Sequence, residues 1–301
     1  MAGFEREAAV PWIETDDVEA YLAAVGADEA QRRFVTDLHR DGVAVIDLGP
    51  EGLALCDQVV AQTEKYFTKG RRRAQDAWRR SSAVRALANL PVVAQMLRLA
   101  YGREPFAFQT LNFLLGSEQR AHSDAMHFHS EPQRFMCGVW FALEDVEADA
   151  GPLFYHAGSH RQPILGMREV GIVDRAPTVE DYERHYEPVF AAGLDSPPRA
   201  ALLKKGQALV WAANLAHGGT AITREGATRR SLVAHYFFEN CLYYTPRYSN
   251  EDQGRLHLRL PSDLRTGGWI WPRREGAPAR VSARAIAGFL ARGALRMVRV
   301  F

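Results

Sequence analysis

Several things are scarce or missing in this 301-residue chain. No apolar run approaches the ~20 residues that a membrane-crossing helix requires, so no integral membrane segment is expected. There is no excess of charge of either sign. Lys and Arg number 37 against 36 Asp and Glu, a net charge of +1, which offers no bulk field for nucleic acid. Three cysteines, Cys56, Cys137 and Cys241, are too few and too unevenly spaced for a zinc knuckle or a disulfide framework. They are expected to act as small buried hydrophobes in a reducing compartment. Lysine is confined to Lys65, Lys69, Lys204 and Lys205, so arginine carries almost all the positive charge, as in a GC-rich bacterial gene with a biosynthetic role. The opening residues Met1 to Glu7 lack an apolar stretch behind a basic start, so no secretory signal is read there and a cytoplasmic location is expected. Internal repeats and low-complexity tracts are absent. What is present is an apolar share of 47%, ample for a sizeable core.

Along the chain the periodicity changes once. Up to about residue 105 it is helical. A helix start is expected at Thr15-Asp16-Asp17, capped by Thr15 or Asp16, with a continuation through Gln31 to His39 that stops near Gly42. Val43 to Leu48, bounded by glycines, reads as a strand. Glu51 to Phe67 and Ser81 to Tyr101 read as helices, the second broken at Pro91. From Phe106 the period becomes two. Strands are expected over Phe106–Leu115, through His122, over Phe135–Leu143, at Phe154, over Leu202–Trp211 and over Ser231–Glu239. Residues 164–195 read as an irregular insertion over a barrel mouth, and 240–280 as an outer wrap rich in Pro, Arg and Gly. Ala283 to Phe301 reads as a basic amphipathic helix that packs on its own domain or on a twin subunit, or lies on an anionic surface. The expected fold is α+β with a mainly β core. It is one domain over 1–301, with a helical flank at 1–105, a β core at 106–240 and the C-terminal wrap and helix at 241–301.

The chemistry centres on Gln119-Arg120-Ala121-His122-Ser123-Asp124. In a strand, positions two apart share a face, so His122 and Asp124 would present an imidazole and a carboxylate side by side. Two thirds of a 2-His-1-carboxylate facial triad looks like this. His217, in Leu215-Ala216-His217-Gly218-Gly219, is a candidate for the missing third. A competing set is His127, His129 and Glu131, as in a cupin-type site, but it lacks the cupin glycine spacing and leaves His217 and Arg229 without a role.

His122-Ser123-Asp124, Gly138 to Asp145, Gly151-Pro152-Leu153 with Gly158-Ser159-His160, His217-Gly218 and Arg229 occur in an order that resembles the phytanoyl-CoA dioxygenase family, from about Phe106 to about Phe238. The resemblance implies a double-stranded β-helix (a jelly roll) and a dioxygenase using Fe(II), 2-oxoglutarate and O2. It implies His122, Asp124 and His217 as metal ligands, with 2-oxoglutarate and O2 at the open positions.

The far carboxylate of 2-oxoglutarate suits the planar fork of an arginine. Arg229 and Ser231 share a strand face and could clamp it together, while Arg230 would point away. Arg229 also stands six before His235, as the family's arginine stands before a histidine or arginine. Gln109 and Asn112 are candidates for the near carboxylate, and because they fall on opposite faces only one should serve. Thr220 is another candidate hydroxyl. Trp140 and Trp211 read as core, and Gly158 and Ser159 as structural. His127, His129 and Arg134 are expected to border a substrate pocket and read an anionic or hydroxylated small molecule. Halogenation is disfavoured because Asp124 occupies the place a halide would need. The expected activity is hydroxylation of a small-molecule or biosynthetic intermediate with conversion of 2-oxoglutarate to succinate. A non-redox cupin-like isomerase or epimerase, or an inactive binding protein on the same barrel, are the alternatives.

Overall fold

The computed structural model describes residues 9–68, 70–172, 178–251, 253–274, 276–281 and 286–288. Five helices precede or interleave the first strands: α1 (Val18–Ala24), α2 (Glu29–Asp41), α3 (Gly49–Thr63), α4 (Ser82–Leu87) and α5 (Pro91–Tyr101). The N-terminus of α2 is held by a capping box, in which the Asp28 side chain accepts from Gln31 N and the Gln31 side chain accepts from Asp28 N. It ends at Gly42, whose φ of 76° suits glycine, and a Cβ there would collide with the His160 ring. The break between α4 and α5 falls at Pro91, the first residue of α5. At α1 the cap is Asp17, and its side chain makes no capping bond, so neither Thr15 nor Asp16 serves there.

The strands are β1 (Val43–Asp47), β2 (Arg73–Gln75), β3 (Pro105–Phe113), β4 (His129–Glu131), β5 (Met136–Ala142), β6 (Leu153–His156), β7 (Pro198–Ala200), β8 (Gln207–Ala212), β9 (His217–Gly219), β10 (Ser231–Phe238) and β11 (Leu242–Tyr244), with a short outlying pair, β12 (Arg273–Arg274) and β13 (Ala277–Pro278). Six form an antiparallel sheet in the order β1-β8-β5-β10-β3-β2. The smaller sheets β7-β6-β9 and β11-β4 are also antiparallel.

Pleating divides the large sheet into two faces. One face, with Val139, Phe141, Val210, Leu232 and Ala234, joins the helices in one core cluster. The other, with Phe113, Trp140, Leu209, Trp211 and Val233, packs on Leu153 and Tyr155 of β6. β5 and β10 are buried along their whole length, and each large apolar side chain so placed contributes about 1.5–3 kcal/mol. The second face floors the pocket described below.

Several expectations need correction. Residues 119–123 are not a strand; His122 makes only an isolated bridge to His217, and Asp124 opens a 3-10 turn. Within 164–195 the chain is helical from Val179 to Ala192, with a π-helical turn at Tyr182–Tyr186 whose aromatic rings pack with Phe190, Met126 and Ala216. The strand expected from Leu202 begins at Gln207. The wrap also contains a buried strand, β11, paired to β4. Of the Ala283–Phe301 helix, 286–288 are helical and the rest lies outside the described residues. No described helix is long and apolar enough to cross a membrane.

Candidate metal centre

Two reciprocal backbone bonds, His122 N to His217 O and His217 N to His122 O, each 3.0 Å, bring the two histidines together. Their rings lie 4.4 Å apart. Ser123 is extended, with φ −109° and ψ 134°, so a single residue produces the parity that a whole strand was expected to supply. Its hydroxyl lies 3.2 Å from Ala213 O and 3.1 Å from Asn214 Oδ1, and Ala125 N donates to Ala213 O at 3.0 Å. Asp124 is thereby fixed against the segment leading into β9. His122, Asp124 and His217 each offer an atom, all within 4.8 Å of one another, and they are the one such His/Cys/Asp/Glu group among the described residues.

The protonation pattern suits a cation. Nδ1 of His122 lies 2.9 Å from Arg120 O, and Nδ1 of His217 lies 3.0 Å from Leu215 O. A carbonyl only accepts, so each Nδ1 carries the hydrogen and each Nε2 keeps its lone pair for the site. Burial, aided by His217, pushes His122 down to about 4. Burial alone would raise Asp124, but His217, His235, His122 and the Trp211 indole together hold it down to about 2. At neutral pH the set is therefore an ionised carboxylate with a neutral His122, and no proton must leave those two for a divalent ion to bind.

A cavity of about 320 Å³ opens on this cluster. Arg229 lies in its wall, 3% exposed, with its guanidinium 5.2 Å from the Trp140 ring and 5.7 Å from Phe113. Burial and the neighbouring Arg72 lower it to about 10, so it stays charged at neutral pH. Among the described residues its Nε and the buried Ser231 hydroxyl have no hydrogen-bond partner. A buried cation without a counter-charge is costly, and the arrangement calls for an anion. Arg230 points the other way, to Glu64 and Glu144.

The other candidates divide. Gln109 lines the cavity, with its Oε1 3.2 Å from His235 Nδ1. Asn112 is on the opposite face of β3, buried with both amide atoms unpartnered among the described residues, and does not reach the cavity. The Thr220 hydroxyl donates to Pro152 O at 3.1 Å and also lies off the cavity. His127 lines the cavity, but His129 and Arg134 do not. His129 is buried on β4 edge-on to Tyr244. The Arg134 guanidinium is taken up by His160 O at 2.6 Å, Gln162 O at 3.2 Å and Glu14 at 3.2 Å. It braces the turn from which Ser159 Oγ accepts a 2.9 Å bond from Ala216 N, next to His217. The competing set of His127, His129 and Glu131 does not converge, since Glu131 pairs with Arg274.

Three neighbours of the cluster were not foreseen in these roles. Trp211 Nε1 donates to Asp124 Oδ2 at 2.8 Å, His235 Nε2 lies 3.6 Å from the same oxygen, and Gln119 Nε2 lies 3.3 Å from His122 Nε2. The parity that groups Arg229 with Ser231 also points to His235. The Trp211 indole reaches Asp124 across Gly138, where any Cβ would collide with it. Nothing in the sequence signals Gln119.

Comparison with known proteins fits this geometry. The profile of the Phytanoyl-CoA dioxygenase (PhyH) family matches residues 16–231. Peroxisomal phytanoyl-CoA dioxygenase of Rattus norvegicus is 21% identical over 251 residues, covering 80% of this chain and 67% of the rat protein. The alpha-ketoglutarate-dependent epimerase SnoN of nogalamycin biosynthesis superposes with a TM-score of 0.55 at 20% identity, over 84% of this chain and 94% of SnoN. SnoN has also been solved with Fe3+, alpha ketoglutarate and nogalamycin RO. The carbocyclase SnoK of the same pathway superposes with a TM-score of 0.53 at 16% identity, over 70% of this chain and 85% of SnoK. The chain belongs to the phytanoyl-CoA dioxygenase family.

Proposed function

We propose that this protein is an Fe(II)- and 2-oxoglutarate-dependent dioxygenase that hydroxylates a small molecule and releases succinate. We read the two-sheet core as a double-stranded β-helix in a single domain, and the location as cytoplasmic. The observation that carries the proposal is the pairing within one cavity of a His-Asp-His cluster with a buried arginine whose Nε has no partner among the described residues; the Ser231 hydroxyl, buried on the same strand face, lies off the cavity lining.

The residues fit both groups. His122 Nε2, His217 Nε2 and an Asp124 oxygen would hold the iron, a donor set that leaves coordination positions open. Arg229 and Ser231 would hold the far carboxylate of 2-oxoglutarate, with Gln109 available nearer the metal. When bound, iron and 2-oxoglutarate together supply the oxidative activation of O2 that no side chain can perform. The protein's part is placement. Arg120 O and Leu215 O fix the imidazole tautomers, Trp211 keeps Asp124 oriented and ionised, and the aromatic walls at Trp140 and Phe113 limit water around the guanidinium.

SnoN and SnoK are an epimerase and a carbocyclase with the same cofactor, so the cofactor alone does not fix the outcome on substrate. Succinate formation that requires both O2 and 2-oxoglutarate supports the proposal, and oxygen incorporation into product separates hydroxylation from epimerisation or cyclisation. Turnover of substrate with neither O2 nor 2-oxoglutarate would favour the non-redox isomerase instead.

A further inference from the structure

We infer that a pocket on the helix side of the large sheet, built on Trp78 and flanked by Arg79 and Arg85, binds a phosphate or diphosphate group. The pocket has a volume of about 600 Å³ and shares no lining residue with the metal cavity. It is formed by the 3-10 turn Ala77–Arg79, by α4 with Asn89 behind it, and by Arg265. Trp78 belongs to the core cluster that the helices make with one face of the sheet, whereas the metal cavity lies on the other face. This is a second site, independent of the oxygenase reading.

The platform is rigid. Trp78 is 3% exposed, and its Nε1 donates to Asp76 Oδ1 at 3.3 Å. The same oxygen accepts from Thr110 N of β3 at 3.2 Å, which ties the turn to the sheet. The Arg79 guanidinium lies 4.4 Å from the Trp78 ring and that of Arg85 lies 5.4 Å from it. The two cations therefore stand no farther apart than those distances laid end to end. That is within a Debye length, about 10 Å at 0.1 M salt, so each feels the other.

Neither guanidinium forms an ion pair or a hydrogen bond among the described residues; each rests on the indole alone. Arg79 is exposed, and Arg85 is half-buried with an Nε that is shielded from solvent and unpartnered. The lining contains no Asp or Glu. Of the other two arginines in it, Arg265 pairs with Asp263 and Glu104, and Arg80 is engaged by an interaction of its own. The unmet charge is thus that of Arg79 and Arg85. Two forks held on one platform suit an oxyanion that both can share, and a phosphate offers more charge and more acceptor oxygens than a carboxylate. Trp78 is too buried to stack on a ligand ring, so the group recognised is the phosphate itself.

The test is isothermal titration calorimetry of the full-length protein with inorganic phosphate and with pyrophosphate, at an ionic strength held constant with sodium chloride. No metal is added, because pyrophosphate would chelate it. The expected result is that at least one of the two anions binds at one site per chain with a dissociation constant below about 1 mM. The tighter of them identifies a single phosphate or a diphosphate as the group recognised. Arg79→Gln and Arg85→Gln should each weaken that binding about tenfold, the scale of one charge-assisted hydrogen bond, and Arg79→Lys should recover part of it. Arg229→Gln should leave it unchanged. Thermal midpoints show that each variant is folded, and the exposed position of Arg79 keeps the test decisive should Arg85→Gln fail to fold. Binding of neither anion at millimolar concentration, unchanged binding in Arg79→Gln, or binding lost in Arg229→Gln overturns the inference, the last by assigning the anion to the metal cavity.

Discussion

Trp211 Nε1 donates a 2.8 Å hydrogen bond to Oδ2 of Asp124, joining a strand of the large sheet to the carboxylate of the His-Asp-His cluster. Gly138, on the adjacent strand, leaves the space in which the indole lies. The carboxylate's orientation is therefore set from within the sheet as well as by its own loop.

Replacing Trp211 with Phe keeps most of the packing and deletes this bond. Iron affinity should fall about 10- to 100-fold, the range expected when a group supporting a metal ligand is lost. Equilibrium Fe(II) titration of wild type and Trp211→Phe checks this, and equal affinities would show that the bond does not support metal binding.

Gly138→Ala should be more damaging than its single methyl suggests. The new Cβ collides with the Trp211 indole, and overpacking of this kind costs about 1–3 kcal/mol. Urea denaturation reads the loss, and Fe(II) affinity should drop with it because the indole must move away from Asp124.

Arg229 and Arg230 should behave as opposites despite being neighbours. Arg229→Met removes a buried cation whose Nε has no partner among the described residues, so it should raise the thermal midpoint of the ligand-free protein while abolishing the stabilisation that 2-oxoglutarate confers. Arg230→Gln loses partly exposed ion pairs to Glu64 and Glu144, worth up to about 1 kcal/mol, and should leave the 2-oxoglutarate response intact. Thermal unfolding with and without 2-oxoglutarate distinguishes the two.

Acid should weaken the fold through His129 and His160. Burial pushes both down to about 4 from 6.5. Between those values the unfolded chain binds protons that the native protein refuses, so this stability is present above pH 6.5 and is lost as pH falls toward 4. At pH 5 the loss is on the order of 2 kcal/mol for each. Urea midpoints at pH 7 and pH 5 measure it, and His129→Gln should flatten the dependence.

Much of this architecture is legible in the sequence because local signals are strong there. Asp28 with Gln31, Gly42 and Pro91 mark helix ends, and the apolar runs at 136–142 and 231–238 mark strands buried on both faces. Strand parity separates Arg229 from Arg230 because both flank a regular strand. It fails for residues 119–123, where a two-bond bridge to His217 and one extended serine replace the strand. His129 and Arg134 are misplaced for a related reason. Proximity in sequence to Asp124 does not show that β4 pairs with β11 and carries His129 away from the cavity, or that Arg134 turns to His160 O, Gln162 O and Glu14. The cavity wall from 245 to 259 follows a break in periodicity, and only the tertiary fold brings it to the site.

The most direct measurement is an anaerobic titration of the protein with Fe(II) in the presence of 2-oxoglutarate, followed by the visible charge-transfer absorption of the chelated iron. The account predicts a band that saturates at one iron per chain, is lost in His122→Ala, Asp124→Ala and His217→Ala, and needs far more 2-oxoglutarate in Arg229→Gln. Absence of the band in the wild-type protein, or its persistence when His217 is removed, would contradict it.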